Sequence, residues 1–260
     1  MRGDDRTPVV TEFLTTGSAA VDDLLGGGIE RGVVTQLYGP PASGKTNLAL
    51  TAAVEVAAAG GSVLYIDSED LSMVRFRDIA EARSGVPVEE VASRLVVSEA
   101  MSFAEQGEAV KDAAELADGV DLIVLDSATG FYRLERTEDS RGGESVREVA
   151  RHVTQLLSLA RRHDLGVLVT NQVFTDPDAD RDRPLGGNTL EHWTGVILRL
   201  ERFRGGNRRA TLEKHRSQPA GGSARFRITD AGVEGRGAVA DASRAGRPTG
   251  HDPADDREGA

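Results

Sequence analysis

Residues Gly39, Pro40, Pro41, Ala42, Ser43, Gly44, Lys45 and Thr46 follow the spacing G-x-x-x-x-G-K-[ST], in which a loop curls so that successive backbone N–H groups face a chain of phosphates. A helix that follows such a loop directs the positive end of its dipole at the same anion. Lys45 is expected to meet the β- and γ-phosphates as a point charge and the Thr46 hydroxyl to coordinate Mg²⁺, so ATP with Mg²⁺ is the implied ligand. Asp126 ends the apolar run Leu122-Ile123-Val124-Leu125, which suits a carboxylate that holds Mg²⁺ directly or through a water. Glu69, just after the run VLYID, is placed to orient or deprotonate an attacking water. Gln172, after VLVT, is placed to hydrogen-bond the γ-phosphate and report its loss to the loop that follows; Asn171 reads as structural. Asp176, Asp178, Asp180 and Asp182 alternate like calcium ligands, but the glycine and closing glutamate of an EF-hand loop are missing, so they read as a solvated acidic loop.

These side chains need a scaffold that brings strand ends together. Short apolar runs at 33–38, 62–67, 94–98, 121–126 and 166–170 alternate with segments of helical spacing at 45–59, 103–117 and 144–163. That alternation predicts an α/β fold with a mainly parallel sheet covered by helices. The runs are nearly all continuous Val, Ile and Leu, as in strands buried on both faces. Beyond residue 188 the pattern changes to period two, with Val196, Leu198, Leu200, Ala210, Leu212, Phe226 and Ile228 on one face and Arg199, Arg209, Arg225 and Arg227 on the other. This predicts an antiparallel C-terminal meander at the sheet edge, turned by Gly205-Gly206-Asn207 and Pro219-Ala220-Gly221-Gly222. Residues 1–10 and 235–260 lack apolar periodicity and are expected to be disordered, leaving a core of 11–234.

The whole chain of 260 residues carries 42 acidic and 31 basic side chains, a net charge of −11, and no cysteine. Disulfides, Cys-ligated zinc and a thiol nucleophile are excluded. No apolar run is long enough to cross a bilayer and no secretory h-region is visible, so a cytoplasmic address is expected. Only three of the basic residues are lysine; an acidic, arginine-for-lysine surface suggests a salt-loving source, with codon bias as the alternative. The stretch 199–227 holds nine basic residues against two acidic ones, a basic island suited to a polyanion.

The segments TTGSAAVDDLLGGGIERGVVTQLYGPPASGKTN, YIDSE, LIVLDSATGFYRLE, VTNQV and PLGGNTLEHW, in this order across about residues 11–230, resemble the RecA/RadA recombinase core. Within that family the chain is most similar to the short archaeal members, which also carry LEKHR, here at 212–216. The resemblance implies a RecA-like P-loop NTPase core and an archaeal DNA repair and recombination protein that binds ATP and DNA. It assigns Lys45 and Thr46 to the phosphate loop, Asp126 to the metal, Glu69 to water activation, and Gln172 to sensing the γ-phosphate. It also implies DNA contacts from two loops, here about 133–143 and 174–185.

Departures from the full recombinases shape the expected function. An N-terminal helical DNA-binding domain and a Phe-x-x-Ala subunit-joining element are not found. The second loop, FTDPDADRDRPL, is mostly acidic, and Asp70 stands where recombinases usually have glycine. DNA contacts are therefore expected from Arg133 and Arg141 in the first loop and from Arg208, Arg209, Lys214 and Arg216 in the meander, with short bidentate arginine contacts favoured in high salt. The leading expectation is an accessory or mediator protein with weak, DNA-independent ATPase and no strand exchange of its own. Its partners would be DNA, single-stranded or branched, the main archaeal recombinase, and a junction-cutting nuclease. The alternatives are a filament-forming, DNA-stimulated recombinase and a KaiC-like regulatory ATPase or kinase.

Overall fold

The computed structural model describes residues 13–131, 142–176 and 181–236. Among the described residues the first unit is a two-stranded pair, β1 (Phe13–Leu14) with β2 (Ile29–Glu30), around helix α1 (Ala19–Leu25). The alternating part follows as β3 (Val34–Tyr38), α2 (Lys45–Ala58), β4 (Val63–Asp67), α3 (Met73–Arg83), α4 (Val88–Ala92), β5 (Leu95–Glu99), α5 (Phe103–Leu116), β6 (Leu122–Asp126), α6 (Gly142–His163) and β7 (Gly166–Asn171). A hairpin, β8 (Val173–Asp176) with β9 (Arg181–Pro184), leads to α7 (Gly187–Trp193). The meander closes the described chain as β10 (Val196–Arg202), β11 (Asn207–Lys214), β12 (Ser223–Thr229) and β13 (Gly232–Arg236).

Nine strands form one sheet in the order β13-β12-β11-β10-β3-β7-β6-β4-β5. Pairing is parallel from β10 to β5 and antiparallel from β10 to β13. The expected strands and helices therefore appear within about two residues of their predicted ends. One face of the sheet packs on α2 through residues such as Leu48, Val54, Tyr65, Val124, Leu198 and Phe226. The other packs Ile66, Ile123, Leu125 and Val167 against Val149, Val153 and Leu156 of α6. Burying a side chain of this size stabilises the fold by about 1.5–3 kcal/mol, so α2, whose Leu48, Leu50 and Val54 are fully buried, is held firmly beneath the loop that precedes it.

Two expectations need correction. Strand β5 is an edge strand with Val96 exposed, not one buried on both faces, because nothing described pairs with its outer side. The last strand runs to Arg236, beyond the expected core boundary; residues 1–12 and 237–260, with their expected disorder, lie outside the described residues. Among the described residues no helix is long and apolar enough to cross a membrane.

Candidate nucleotide site

Strand β3 ends in fully buried backbone and passes into the phosphate loop at Gly39. A Cβ on Gly39 would lie 2.2 Å from the carbonyl oxygen of Leu200, so only glycine lets the loop leave the sheet beside β10. The loop then turns through positive φ at Ala42 (59°) and Gly44 (105°), aiming its amides inward before α2 begins at Lys45. Lys45 is buried, and its Nζ donates to the carbonyls of Gly39 (2.9 Å) and Pro40 (3.3 Å). Burial lowers its pKa from the ordinary lysine value, while the carboxylates of Glu69 and Asp126 pull the other way. A phosphate oxygen would give this ammonium a charged acceptor in place of neutral carbonyls.

Asp126 ends β6 fully buried, among hydroxyls. Tyr65 Oη donates to its Oδ2 (2.8 Å), Thr170 Oγ1 donates to its Oδ1, and the Thr46 hydroxyl is a third partner. Burial raises its pKa above the usual carboxylate value; the hydroxyls oppose that rise, and nearby Glu69 adds to it. Asp126 and Thr46 offer two adjacent hard oxygen donors, and no group of three or more His, Cys, Asp or Glu suited to a metal occurs among the described residues. That donor set fits Mg²⁺, which dehydrates reluctantly and is held by one or two protein oxygens plus phosphates and water. When bound, the ion would supply charge neutralisation between the β- and γ-phosphates.

Glu69 is held by its own turn. The carboxylate of Asp67 accepts from the amides of Glu69 (3.0 Å) and Leu71 (2.6 Å), and Asp70 between them adopts φ of 63°. Glycine takes that conformation freely, and Asp is among the few other residues that tolerate it. Glu69 Oε1 then accepts two hydrogen bonds, from Ser127 Oγ (2.6 Å) and from Gln172 Nε2 (3.1 Å). The Gln172 backbone N–H donates to Thr129 Oγ1 (3.1 Å) and its backbone carbonyl accepts from Leu185 N (2.9 Å). Asn171 is structural, as expected: buried, it joins Thr129 to the Leu185 carbonyl. A cavity of about 590 Å³ connects these groups, lined by Pro41, Ala42, Gly44, Lys45, Thr46, Asn47, Glu69, Gln172, Arg208 and Ile228.

The phosphate-loop residues, Glu69, Gln172 and Asp126 thus converge as the spacing predicts. The expected DNA contacts do not gather on one surface. Arg208 turns inward and is only 8% exposed. Arg209, one residue later and on the opposite face, donates to Glu201 (2.9 and 3.0 Å) and stacks over Phe203. Lys214, at the other end of β11, donates to the carbonyls of Glu191 and Thr194 (2.8 Å). Arg216 pairs with Glu30. Arg133 and Arg141 lie outside the described residues, as do Asp178 and Asp180 of the second loop. Sequence reading missed Tyr65, Thr170 and Ser127 as partners of the acids, and Arg208 as a wall of the cavity. A tyrosine and a threonine inside otherwise apolar central strands were the available signal.

Residues 6–236 match the Rad51 family. The DNA repair and recombination protein RadB of Halobacterium salinarum is 59% identical over 90% of this chain and 97% of its own length. Its counterpart in Methanoculleus marisnigri is 47% identical over 86% and 98%, and that of Pyrococcus abyssi 40% over 85% and 93%. Among solved structures, a crystal structure of the RadB recombinase superposes with a TM-score of 0.76 at 39% identity, covering 85% of this chain and 99% of the other. The sheet and flanking helices are therefore a Rad51/RecA-like fold with antiparallel C-terminal strands, and the regulatory-kinase alternative is set aside.

Proposed function

The chain belongs to the Rad51 family, within its RadB branch, and on that premise we propose that it is an ATP- and DNA-binding accessory of homologous recombination and DNA repair. Nucleotide acts chiefly as a ligand switch, hydrolysis is slow and independent of DNA, and strand exchange is left to the main recombinase, which is its partner on DNA together with a junction-cutting nuclease.

The observation that carries this reading is the state of Glu69. Its Oε1 accepts from Ser127 and Gln172 at once, so the oxygen that would take a proton from water is already occupied by two donors that must first be displaced. Binding a γ-phosphate beside Lys45 would compete for the Gln172 amide and move the root of the loop that begins there. That gives ATP a conformational consequence without turnover.

The test is steady-state ATP hydrolysis with and without single-stranded DNA in multimolar KCl, with Lys45→Ala as the blank. Slow turnover indifferent to DNA, alongside measurable ATP and DNA binding, is the expected result. Turnover that rises severalfold with DNA would support the DNA-stimulated recombinase instead.

A further inference from the structure

We propose that Arg208 is a nucleotide-binding residue, its guanidinium receiving the α-phosphate and nucleoside end of the nucleotide held by its own phosphate loop. The proposal rests on the reading that the cavity takes a nucleoside triphosphate.

Strand register puts Arg208 there. In the β10–β3 pair Arg199 lies opposite Tyr38, the last residue before the loop, and in the β10–β11 pair Arg202 lies opposite Arg208. Arg208 therefore projects past the end of β3, beside the phosphate loop. It alternates to the same side as buried Ala210 and Leu212, which is the α2 side. Its neighbour across β12 is Phe226, and Ile228 of the same strand lies so close to the loop that a Cβ on Gly44 would be 3.1 Å from its Cδ1.

The protein leaves this guanidinium incompletely satisfied. Nη1 donates to the carbonyls of Gly206 (2.8 Å) and Asn207 (3.3 Å). The buried Nε has no hydrogen-bond partner, and no carboxylate lies within ion-pair distance among the described residues. Burial, with Arg202 as a like charge, lowers its pKa from the ordinary arginine value. Arg209 next to it is matched by Glu201. A buried charge without a counter-charge is costly, and a phosphate of a nucleotide in this cavity would supply the missing one.

Orientation follows from strand order. Glu69 and Gln172, at the tips of β4 and β7, mark the end where water attacks, whereas β11 and β12 lie across β3 from them. Arg208 thus meets the part of the nucleotide remote from the γ-phosphate. It should strengthen binding of ATP and ADP alike and contribute nothing to the hydrolytic step.

Equilibrium binding of fluorescent ADP and ATP to the full chain tests this, using Arg208→Gln, Arg208→Lys and the Lys45→Ala blank, with DNA affinity measured at matched salt. Arg208→Gln is expected to weaken both nucleotides by a similar factor of about ten or more. Arg208→Lys should recover part of the loss, and DNA affinity should be unchanged. Retained nucleotide affinity in Arg208→Gln, with binding abolished in Lys45→Ala, would overturn this assignment and leave the nucleotide site standing. A loss of ATP affinity with ADP affinity intact would also overturn it. Wild-type protein that binds no nucleotide would overturn both. Thermal unfolding without nucleotide monitors the fold, and if Arg208→Gln is unfolded, undiminished binding by folded Arg208→Lys overturns the proposal while a shared loss for ADP and ATP supports it.

Discussion

Asp126 keeps almost no exposed surface, and its burial has a consequence in the absence of ligand. Between the ordinary carboxylate pKa and its raised value in the fold, the folded chain retains a proton that the unfolded chain has released. Stability therefore falls as pH rises through that window, and the penalty is complete only above the raised value. Asp126→Asn removes the charge while keeping an acceptor for the hydroxyl of Tyr65 or Thr170. Nucleotide-free Asp126→Asn is expected to be more stable than wild type at pH values above the usual carboxylate range. That difference should vanish as pH falls below the usual carboxylate range. Thermal unfolding across pH with a chelator present checks this, and a constant difference at every pH would mean that the hydroxyls, not the charge, decide it. The same substitution should abolish the Mg²⁺-dependent part of nucleotide affinity, so stability and function pull in opposite directions at this residue. Much of the site was legible because phosphate chemistry demands a fixed local spacing. What escaped was Arg208, since a charge on a strand of alternating residues looks solvent-facing until register places it beyond the end of its neighbour.

Among the elements, α3 shows how the site's surroundings are fastened. Arg83 Nε pairs with Glu55 of α2 (2.6 Å), and its amines donate to the carbonyls of Gly17, Ala231 and Val233. Arg75 from the same helix donates to Asn47 beside the phosphate loop (2.9 Å) and to the carbonyls of Thr229 and Asp230. Two guanidiniums thereby tie α2, the approach to α1 and the turn between β12 and β13 into one unit, which fixes where Ile228 meets the loop. Arg83→Ala strands Glu55 and three carbonyls and is expected to cost about 2–4 kcal/mol. Arg83→Lys should recover only a fraction, because an ammonium cannot span the same fork. Urea unfolding midpoints measure both, and a loss near zero for the alanine variant would dissolve the clasp. Neither arginine announces this role in the sequence, for their partners are 28 to 155 residues away. Central strands were readable because burial on both faces leaves unbroken apolar runs. Helices α1, α4 and α7 are too short to establish a period, and the β8–β9 hairpin is written in polar residues that read as loop.

At the scale of the whole molecule the charge distribution is more divided than composition suggests. Of the basic meander, Arg199 and Arg209 are matched by Glu201 and Glu213, Arg216 by Glu30, and Arg208 faces the nucleotide cavity. Lys214 donates to the carbonyls of Glu191 and Thr194, and Arg202, Arg204, Arg225 and Arg227 are exposed on a chain of net charge −11. An excess of like charge disfavours the compact state through self-repulsion, and salt shortens its reach from about 10 Å at 0.1 M to about 3 Å at 1 M. Melting temperature is therefore expected to rise by roughly 5–10 °C between dilute and multimolar KCl, equivalent to a few kcal/mol in a protein of this size. The shape of the curve separates the cause. Relief of repulsion saturates once the screening length falls below the spacing of surface carboxylates, near 1 M, whereas strengthened apolar burial keeps growing with salt. A flat curve would return the arginine-for-lysine bias to codon usage, and a curve that climbs without saturating would assign the effect to the core instead of the acidic surface.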